Sequence, residues 1–364
     1  MNVGIMGGGQ LAKMLALAGQ PLGIHCLFLD PASDACAGRA GELLCGDYGD
    51  EGLLDQLARR ASVVTYEFEN VPEASLRRLA PRVAVYPDPK ALAVARDRWH
   101  EKRLFADLGI PTPPFAAVDT RADLERGLAA VGMPAVLKTR TMGYDGKGQR
   151  VLRARADADA TFAALCGSPL ILEGFVPFDR EVSLIAVRDR FGDARFYPLT
   201  ENVHRNGVLA QSVARPGDPM TAQAEDYARR LLEHFDYVGV LAVEFFQKGR
   251  ALLANEMAPR VHNSGHWTIE GAETSQFENH LRAVAGLPLG ATRPIAAAGM
   301  VNFIGRLPEP AAVLAVPGAH LHVYGKDPRP GRKVGHATVR AQGDGELQEA
   351  LARLAALAAF AAEG

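Results

Sequence analysis

The run Gly239-Val240-Leu241-Ala242-Val243-Glu244-Phe245-Phe246 enters a turn at Lys248-Gly249-Arg250 and is answered by Ala251-Leu252-Leu253-Ala254-Asn255-Glu256-Met257. Two apolar, β-prone runs flanking a glycine-bearing turn predict an antiparallel hairpin. Pairing across that turn makes Glu244 and Glu256 approximate cross-strand neighbours. Carboxylates so close inside apolar strands repel one another unless a cation lies between them. Magnesium suits the pair, because it takes one or two protein carboxylates and completes its octahedron with water and substrate phosphates. Asn255 offers a further oxygen. Carboxylates solvated at a sheet edge are the plainer alternative.

The hairpin runs straight into Pro259-Arg260-Val261-His262-Asn263-Ser264-Gly265-His266-Trp267. An Arg, two His and an Asn in a glycine-containing loop beside a metal can recognise a small anion; His266 fits a structural histidine equally well. Further upstream, Lys138 ends an apolar strand and leads into Thr139-Arg140-Thr141-Met142-Gly143-Tyr144-Asp145-Gly146-Lys147-Gly148-Gln149. Three glycines in six residues let such a loop lay its backbone over phosphates. A flexible hairpin explains the glycines but not the cations at both ends. Between these motifs, Glu173-Gly174-Phe175-Val176 closes a strand whose backbone can pair with an adenine edge, and Glu181 can accept from ribose hydroxyls. That signal counts only through its place in the order.

At the start of the chain, Gly7-Gly8-Gly9-Gln10-Leu11-Ala12 follows a strand and opens a helix, with Asp30 ending the second strand. This fits a dinucleotide turn with a ribose-binding acid, a site for any phosphate-bearing ligand, or a packing turn alone.

Strand signals over 2–6, 25–30, 63–65 and 83–86, with a helix over 11–17 after the first, predict a doubly wound parallel sheet. A helical stretch over 89–108 follows, and the prolines of Gly109-Ile110-Pro111-Thr112-Pro113-Pro114 break it. Strands are then predicted over 136–139, 170–175, 182–187, 195–199, 240–246 and 252–257. Helices over 122–131, 158–165, 222–235 and 275–285 interrupt them, which makes a mixed α+β middle. From Pro288 onward come short strands and an alanine-rich helix over 347–362. The expected domains are 1–95, 96–290 and 291–364.

The 364 residues suffice for two or three domains. Forty Lys plus Arg against 42 Asp plus Glu leave a net charge of −2, with no concentrated positive field for nucleic acid or an anionic membrane. An apolar fraction of 48% excludes a disordered chain. Cys26, Cys36, Cys45 and Cys166 show no metal spacing and read as reduced thiols. The N-terminus has no basic n-region, its glycines would break an h-region, and no apolar run nears the ~20 residues of a spanning helix. A cytoplasmic location is expected.

In this order the motifs resemble the ATP-grasp superfamily, and within it the N5-carboxyaminoimidazole ribonucleotide synthetase family. The resemblance also rests on Thr65-Tyr66-Glu67-Phe68-Glu69-Asn70-Val71, Asp97-Arg98 and Pro330-Gly331-Arg332-Lys333-Val334-Gly335-His336. It spans about residues 2 to 336. It implies an N-terminal doubly wound domain, a central ATP-grasp domain and a small β-rich C-terminal domain. The implied reaction joins 5-aminoimidazole ribonucleotide, bicarbonate and ATP by way of carboxyphosphate, with magnesium (two ions) as cofactor and a homodimer as the assembly. It assigns ATP to Arg98, Lys138, Gly143, Tyr144, Asp145, Gly146, Lys147, Gly148, Gln149, Glu173, Gly174, Phe175, Val176, Glu181, His204, Asn255 and Glu256. The metal falls to Glu244 and Glu256, and the chemistry to Lys138, Arg260, His262 and Asn263. The ribonucleotide falls to Gly9, Gln10, Glu67, Tyr144, Asp145, Lys326, Arg332 and Lys333. A formate-dependent ATP-grasp ligase, a nicotinamide oxidoreductase on the Gly7–Ala12 turn and a non-catalytic nucleotide-binding protein are the rival readings.

Overall fold

The computed structural model describes residues 1–143 and 148–363, with side chains described to residue 359. The expectations for Tyr144, Asp145, Gly146 and Lys147 therefore lie outside the described residues. The chain opens with four parallel strands, β1 (Asn2–Met6), β2 (His25–Asp30), β3 (Glu42–Cys45) and β4 (Val63–Tyr66), ordered β3-β2-β1-β4. Val3 and Ile5 of β1 join one core with Leu11 and Leu15 of α1 (Gln10–Gly19). Met6 faces the other way, onto Leu54 and Leu57 of α2 (Glu51–Arg60) and Leu76 of α3 (Glu73–Leu79). A sheet covered on both faces reads as near-continuous apolar strands, and these do. The strand expected over 83–86 is only a bridge between Val64 and Val85. The end of α3 claims the Val83 N–H, and Pro87 stops the extension.

The helix expected over 89–108 is two helices, α4 (Pro89–Ala95) and α5 (Arg98–Asp107). Asp97 separates them because its side chain caps α5, accepting the Trp99 N–H at 2.9 Å. A small antiparallel sheet follows, built from β5 (Phe115–Val118), β6 (Ala135–Thr139), β7 (Gln149–Leu152) and β8 (Leu170–Gly174) in the order β5-β8-β6-β7. Leu124 and Leu128 of α6 (Arg121–Val131) and Ala158 of α7 (Ala158–Leu165) pack on its Leu137 and Leu172.

The large sheet takes in β9 (Arg180–Arg188), β10 (Ala194–Phe196), β11 (Leu199–Arg205), β12 (Val208–Arg215), β13 (Gly239–Lys248) and β14 (Ala251–Ala258). The single strand expected over 195–199 is split between β10 and β11, because Pro198 has no N–H for the ladder. One face is covered by α8 (Thr221–His234), the other by α9 (Thr268–Gly271), α10 (Gln276–Ala285) and α1. The same sheet continues through the β12–β15 ladder into β15 (Ala297–Ile304), β16 (Ala319–Val323) and β17 (Lys333–Ala341). The C-terminal strands thus extend the central sheet, while α11 (Pro310–Leu314) and α12 (Asp344–Glu363) close a separate core around Phe303, Val339 and Leu351. All four cysteines are free. No described helix is long and apolar enough to cross a membrane.

Candidate active site

The small sheet and the large sheet face one another across a cleft of about 620 Å³, bordered also by the Gly9 turn, α5 and the loop after β14. On the large-sheet wall, Glu244 and Glu256 are direct cross-strand partners. The register slips after Glu244, so Phe245 pairs with Ala254 and Asn255 stands opposite no residue of β13. Such a bulge re-aims side chains. Among the described residues the buried Asn255 Oδ1 has no hydrogen-bond partner. Glu256 accepts from Arg98 at 3.0 Å, and Glu244 lies 3.3 Å from His262 Nε2.

Burial and the neighbouring Glu256 push the Glu244 carboxyl up to about 7. Burial acts on Glu256 too, but Arg98 outweighs it and holds that carboxyl below its ordinary value. Two facing carboxylates and an unpartnered amide oxygen make a hard-oxygen donor set. Among the described residues no group of three or more His, Cys, Asp or Glu could hold a metal alone. The oxygen donors of this set suit Mg²⁺, which takes one or two protein carboxylates and leaves its remaining positions to water and phosphates.

On the opposite wall, Lys138, one residue before the end of β6, donates to Glu173 of β8 at 3.0 Å. Lys102 of α5 stands 3.4 Å from the same oxygen. Burial alone would raise the Glu173 carboxyl, but Lys102, Lys138 and Arg98 bring it down to about 2. Glu173 differs here from an acid waiting for a ribose: one oxygen is taken by ammonium groups. Its other oxygen is buried without a partner among the described residues. Gly174, Phe175 and Val176 continue past β8 along the cleft, and Phe178 stacks on Phe246 with centroids 4.9 Å apart. Glu181 meets His204 Nδ1 at 2.8 Å. Burial acts to lower the His204 pKa, yet the Glu181 hydrogen bond and the Glu244 charge carry it above its ordinary value. Of the glycine loop, Gly143 and Gln149 border the cleft, and Gly148 has a φ of 70°. The β6 end of that loop is anchored by Arg140, which bonds both oxygens of Asp97.

The loop after β14 brings Arg260, His262 and Asn263 to the cleft. Arg260 pairs with Glu69 at 2.5 Å. The His262 ring meets Ser264 Oγ at 2.8 Å. Burial, then the Arg260 charge, hold its pKa well below the ordinary value, which favours the neutral ring. Asn263 bonds Asn302 of β15. His266 is absent from the cleft lining: it is fully buried, its ring 4.6 Å from that of His336.

The first glycine turn differs from a phosphate cradle. Gly8 N–H is taken by Asp30 at 2.7 Å, and Glu67 accepts from Gly9 at 2.6 Å and Ala12 at 3.2 Å. Both halves of the dinucleotide reading are thereby occupied within the protein. Gln10, Glu67, Lys326 and Lys333 still border the cleft, and Lys326 donates to the Gln10 amide. Arg332 is not among the lining residues; its guanidinium donates to the Asp327 carbonyl at 3.1 Å. Sequence reasoning overlooked Glu101 and Lys102, one helical turn past Arg98, and Phe178 and Phe246. Charged residues in a helix usually lie on its solvated face, and nothing in the pattern marks these two as buried.

Known proteins match along the whole chain. A ribonucleotide synthetase preATP-grasp domain matches residues 1–96, an ATP-grasp domain 103–277, and a phosphoribosylaminoimidazole carboxylase C-terminal domain 298–350. A relative from Pseudomonas aeruginosa named N5-carboxyaminoimidazole ribonucleotide synthase is 59% identical, covering 98% of this chain and 99% of its own length. The crystal structure of N5-carboxyaminoimidazole ribonucleotide synthetase from Thermus thermophilus is 59% identical with a TM-score of 0.94, covering 98% of each chain. The Aspergillus clavatus enzyme, solved with ADP and 5-aminoimidazole ribonucleotide, is 30% identical with a TM-score of 0.91, covering 99% of this chain and 98% of its own. The doubly wound N-terminal domain, ATP-grasp domain and small C-terminal domain expected from the sequence are those of the matched proteins. This chain belongs to the N5-carboxyaminoimidazole ribonucleotide synthase family of ATP-grasp ligases.

Proposed function

We propose that this enzyme carboxylates the amine of 5-aminoimidazole ribonucleotide with bicarbonate, converting ATP to ADP and phosphate. Bicarbonate is a poor electrophile, so a bicarbonate oxygen first takes the γ-phosphoryl group to give carboxyphosphate. The amine nitrogen then attacks its carbonyl carbon, the C–O bond to phosphate breaks, and the amine proton is released. One observation carries this reading: the Glu244–Glu256 pair with the bulged Asn255 faces Lys138 and the Arg260–Asn263 loop within one cleft.

Phosphoryl transfer rests on positioning and charge neutralisation. Arg98 and Lys138 hold the phosphates with Gly143, Gly148 and Gln149, and Glu173 keeps Lys138 aimed. Val176 and the stacked Phe178 and Phe246 receive the base, with Glu181 and His204 toward the sugar. Glu244, Glu256 and Asn255 would hold Mg²⁺, which when bound would neutralise charge on the phosphates. Arg260 and Asn263 hold the carboxylate portion, and neutral His262 adds a hydrogen bond there. Lys326 and Lys333 bind the 5′-phosphate of the aminoimidazole ribonucleotide beside Gln10 and Glu67. The division at 1–95, 96–290 and 291–364 and a cytoplasmic homodimer belong to the same reading; sedimentation of the purified chain tests the assembly.

The decisive experiment measures phosphate release with ATP, bicarbonate and the ribonucleotide each omitted in turn. Full release is expected only with all three present. Equal release when formate replaces bicarbonate would overturn the reading in favour of a formate-dependent ligase.

A further inference from the structure

We propose that Lys102 is a positioning residue that fixes the two walls of the nucleotide cleft to one another; this deepens, and rests on, the ligase reading above. Lys102 lies one turn past Arg98 on α5 and is 0% exposed. Its ammonium donates to the carbonyls of Ala254 at 3.1 Å and Asn255 at 2.7 Å, both on β14 of the large sheet. It also stands 3.4 Å from the carboxylate of Glu173, on β8 of the small sheet, and that oxygen accepts from Lys138. One buried cation thus touches the strand that carries Asn255 and Glu256 and, through Glu173, the lysine on the opposite wall.

The contact falls where the backbone most needs it. β14 ends the order of the large sheet, so its outer carbonyls have no further strand to pair with. Its bulge at Asn255 breaks the ladder on the inner side. Residues of α5 fill this edge in succession: Arg98 on the Glu256 carboxylate, Lys102 on the two carbonyls, and Glu101 accepting the Met257 N–H at 2.7 Å. The Pro111 carbonyl accepts the Ala254 N–H at 2.7 Å. A buried ion pair is by itself weak evidence of stability, and an apolar side chain of similar size often replaces it without loss. What an apolar replacement cannot do is hold two carbonyls and a carboxylate at fixed distances from one ammonium. Positioning of this kind commonly affects metal affinity or activity by about 10- to 100-fold.

The test compares wild type with Lys102→Met and Lys102→Gln. Calorimetry measures ADP binding with Mg²⁺ and with EDTA, and steady-state kinetics measures kcat and the KM for the ribonucleotide. In Lys102→Met the strengthening of ADP binding by Mg²⁺ is expected to shrink about 10- to 100-fold, with a matching fall in kcat and an unchanged ribonucleotide KM. Lys102→Gln keeps N–H donors for the carbonyls but removes the charge facing Glu173, and is expected to lose less. If Lys102→Met does not fold, Lys102→Gln is read alone. Folded variants with the full Mg²⁺ effect and wild-type kcat overturn the proposal, as does loss of folding in both, which would make the contact merely structural. A wild-type chain that binds ADP with Mg²⁺ yet releases no phosphate with all three substrates would defeat the ligase reading while leaving the calorimetric comparison intact.

Discussion

The carboxylate of Glu67 closes the N-terminus of α1, accepting the N–H of Gly9 at 2.6 Å and of Ala12 at 3.2 Å. A helix N-terminus attracts anions, and here the protein supplies its own. Burial raises the Glu67 carboxyl while these two N–H groups and the Lys326 charge act to lower it, with a net rise. The turn that resembles a phosphate cradle in sequence is therefore a scaffold that holds Glu67 and Gln10 at the cleft.

This arrangement predicts a sharp effect at Gly9. A methyl group there would lie 2.4 Å from Glu67 Oε1, so Gly9→Ala must push the carboxylate off the helix end. Loss of such a cap costs about 0.5–2 kcal/mol. Urea denaturation should show that loss, and the KM for the ribonucleotide should rise. A variant with wild-type midpoint and KM would show that the Glu67 cap contributes to neither.

Glu244 and Glu256 should divide activity from folding. Changing either to Gln removes one charge from the proposed metal pair and leaves volume and β pairing intact. Each is expected to lower bicarbonate-dependent phosphate release by at least about 100-fold, with an unchanged near-ultraviolet dichroism spectrum. EDTA should silence the wild type and added Mg²⁺ restore it. Wild-type turnover in Glu256→Gln would remove that residue from the metal site.

Much of this site was legible because local pattern and chemistry agree. The two apolar runs that carry Glu244 and Glu256 specify a hairpin, and the turn between them fixes its register. The Gly4 and Met6 side of β1 and the Val3 and Ile5 side are both apolar, which marks a sheet covered on two faces. What stayed hidden depends on contacts distant in sequence. Glu173 lies 35 positions from Lys138, and no local pattern shows that its carboxylate is shared by two lysines. Lys102 reads as a surface residue until α5 is packed on β14. The β7 strand is short and half polar, whereas the β11–β12 hairpin carried a local signal that sequence reasoning overlooked: Asn206-Gly207, both at positive φ, is a two-residue hairpin turn between strands that mix apolar and polar residues. The continuation of the large sheet into β15 is a tertiary pairing that Pro288 and its neighbours conceal.

Stability should fall in mild acid through His280. It is fully buried, meets Thr65 Oγ1 at 2.8 Å and accepts the Val240 N–H at 3.1 Å, and burial pushes its pKa down to about 3. The folded state thus favours the neutral ring. Its contribution is complete above an unfolded pKa of about 6.5 and declines as pH falls toward the folded value. Below about pH 6 this one group should steepen the loss by about 1.4 kcal/mol per pH unit. Urea unfolding from pH 5 to 6 should show a slope shallower by about that amount in His280→Asn, whatever its absolute stability. Equal slopes would mean that His280 is protonated in the folded protein.

The C-terminal strands should matter to the chemistry through Asn302. This buried residue of β15 donates to the Leu209 carbonyl at 2.8 Å and exchanges hydrogen bonds with Asn263 in the loop proposed to hold the carboxylate group. Asn302→Leu conserves volume but strands both partners, at a cost of about 1–3 kcal/mol. Because Asn263 then loses its brace, kcat should fall by about 10- to 100-fold, with a smaller change in the KM for ATP, whose proposed phosphate contacts lie on α5, on β6 and at Gly143, Gly148 and Gln149. Thermal melting and steady-state kinetics on the same preparation separate the two effects. A lowered melting temperature with wild-type kcat would show that Asn302 supports the sheet alone and that the loop keeps its geometry without it.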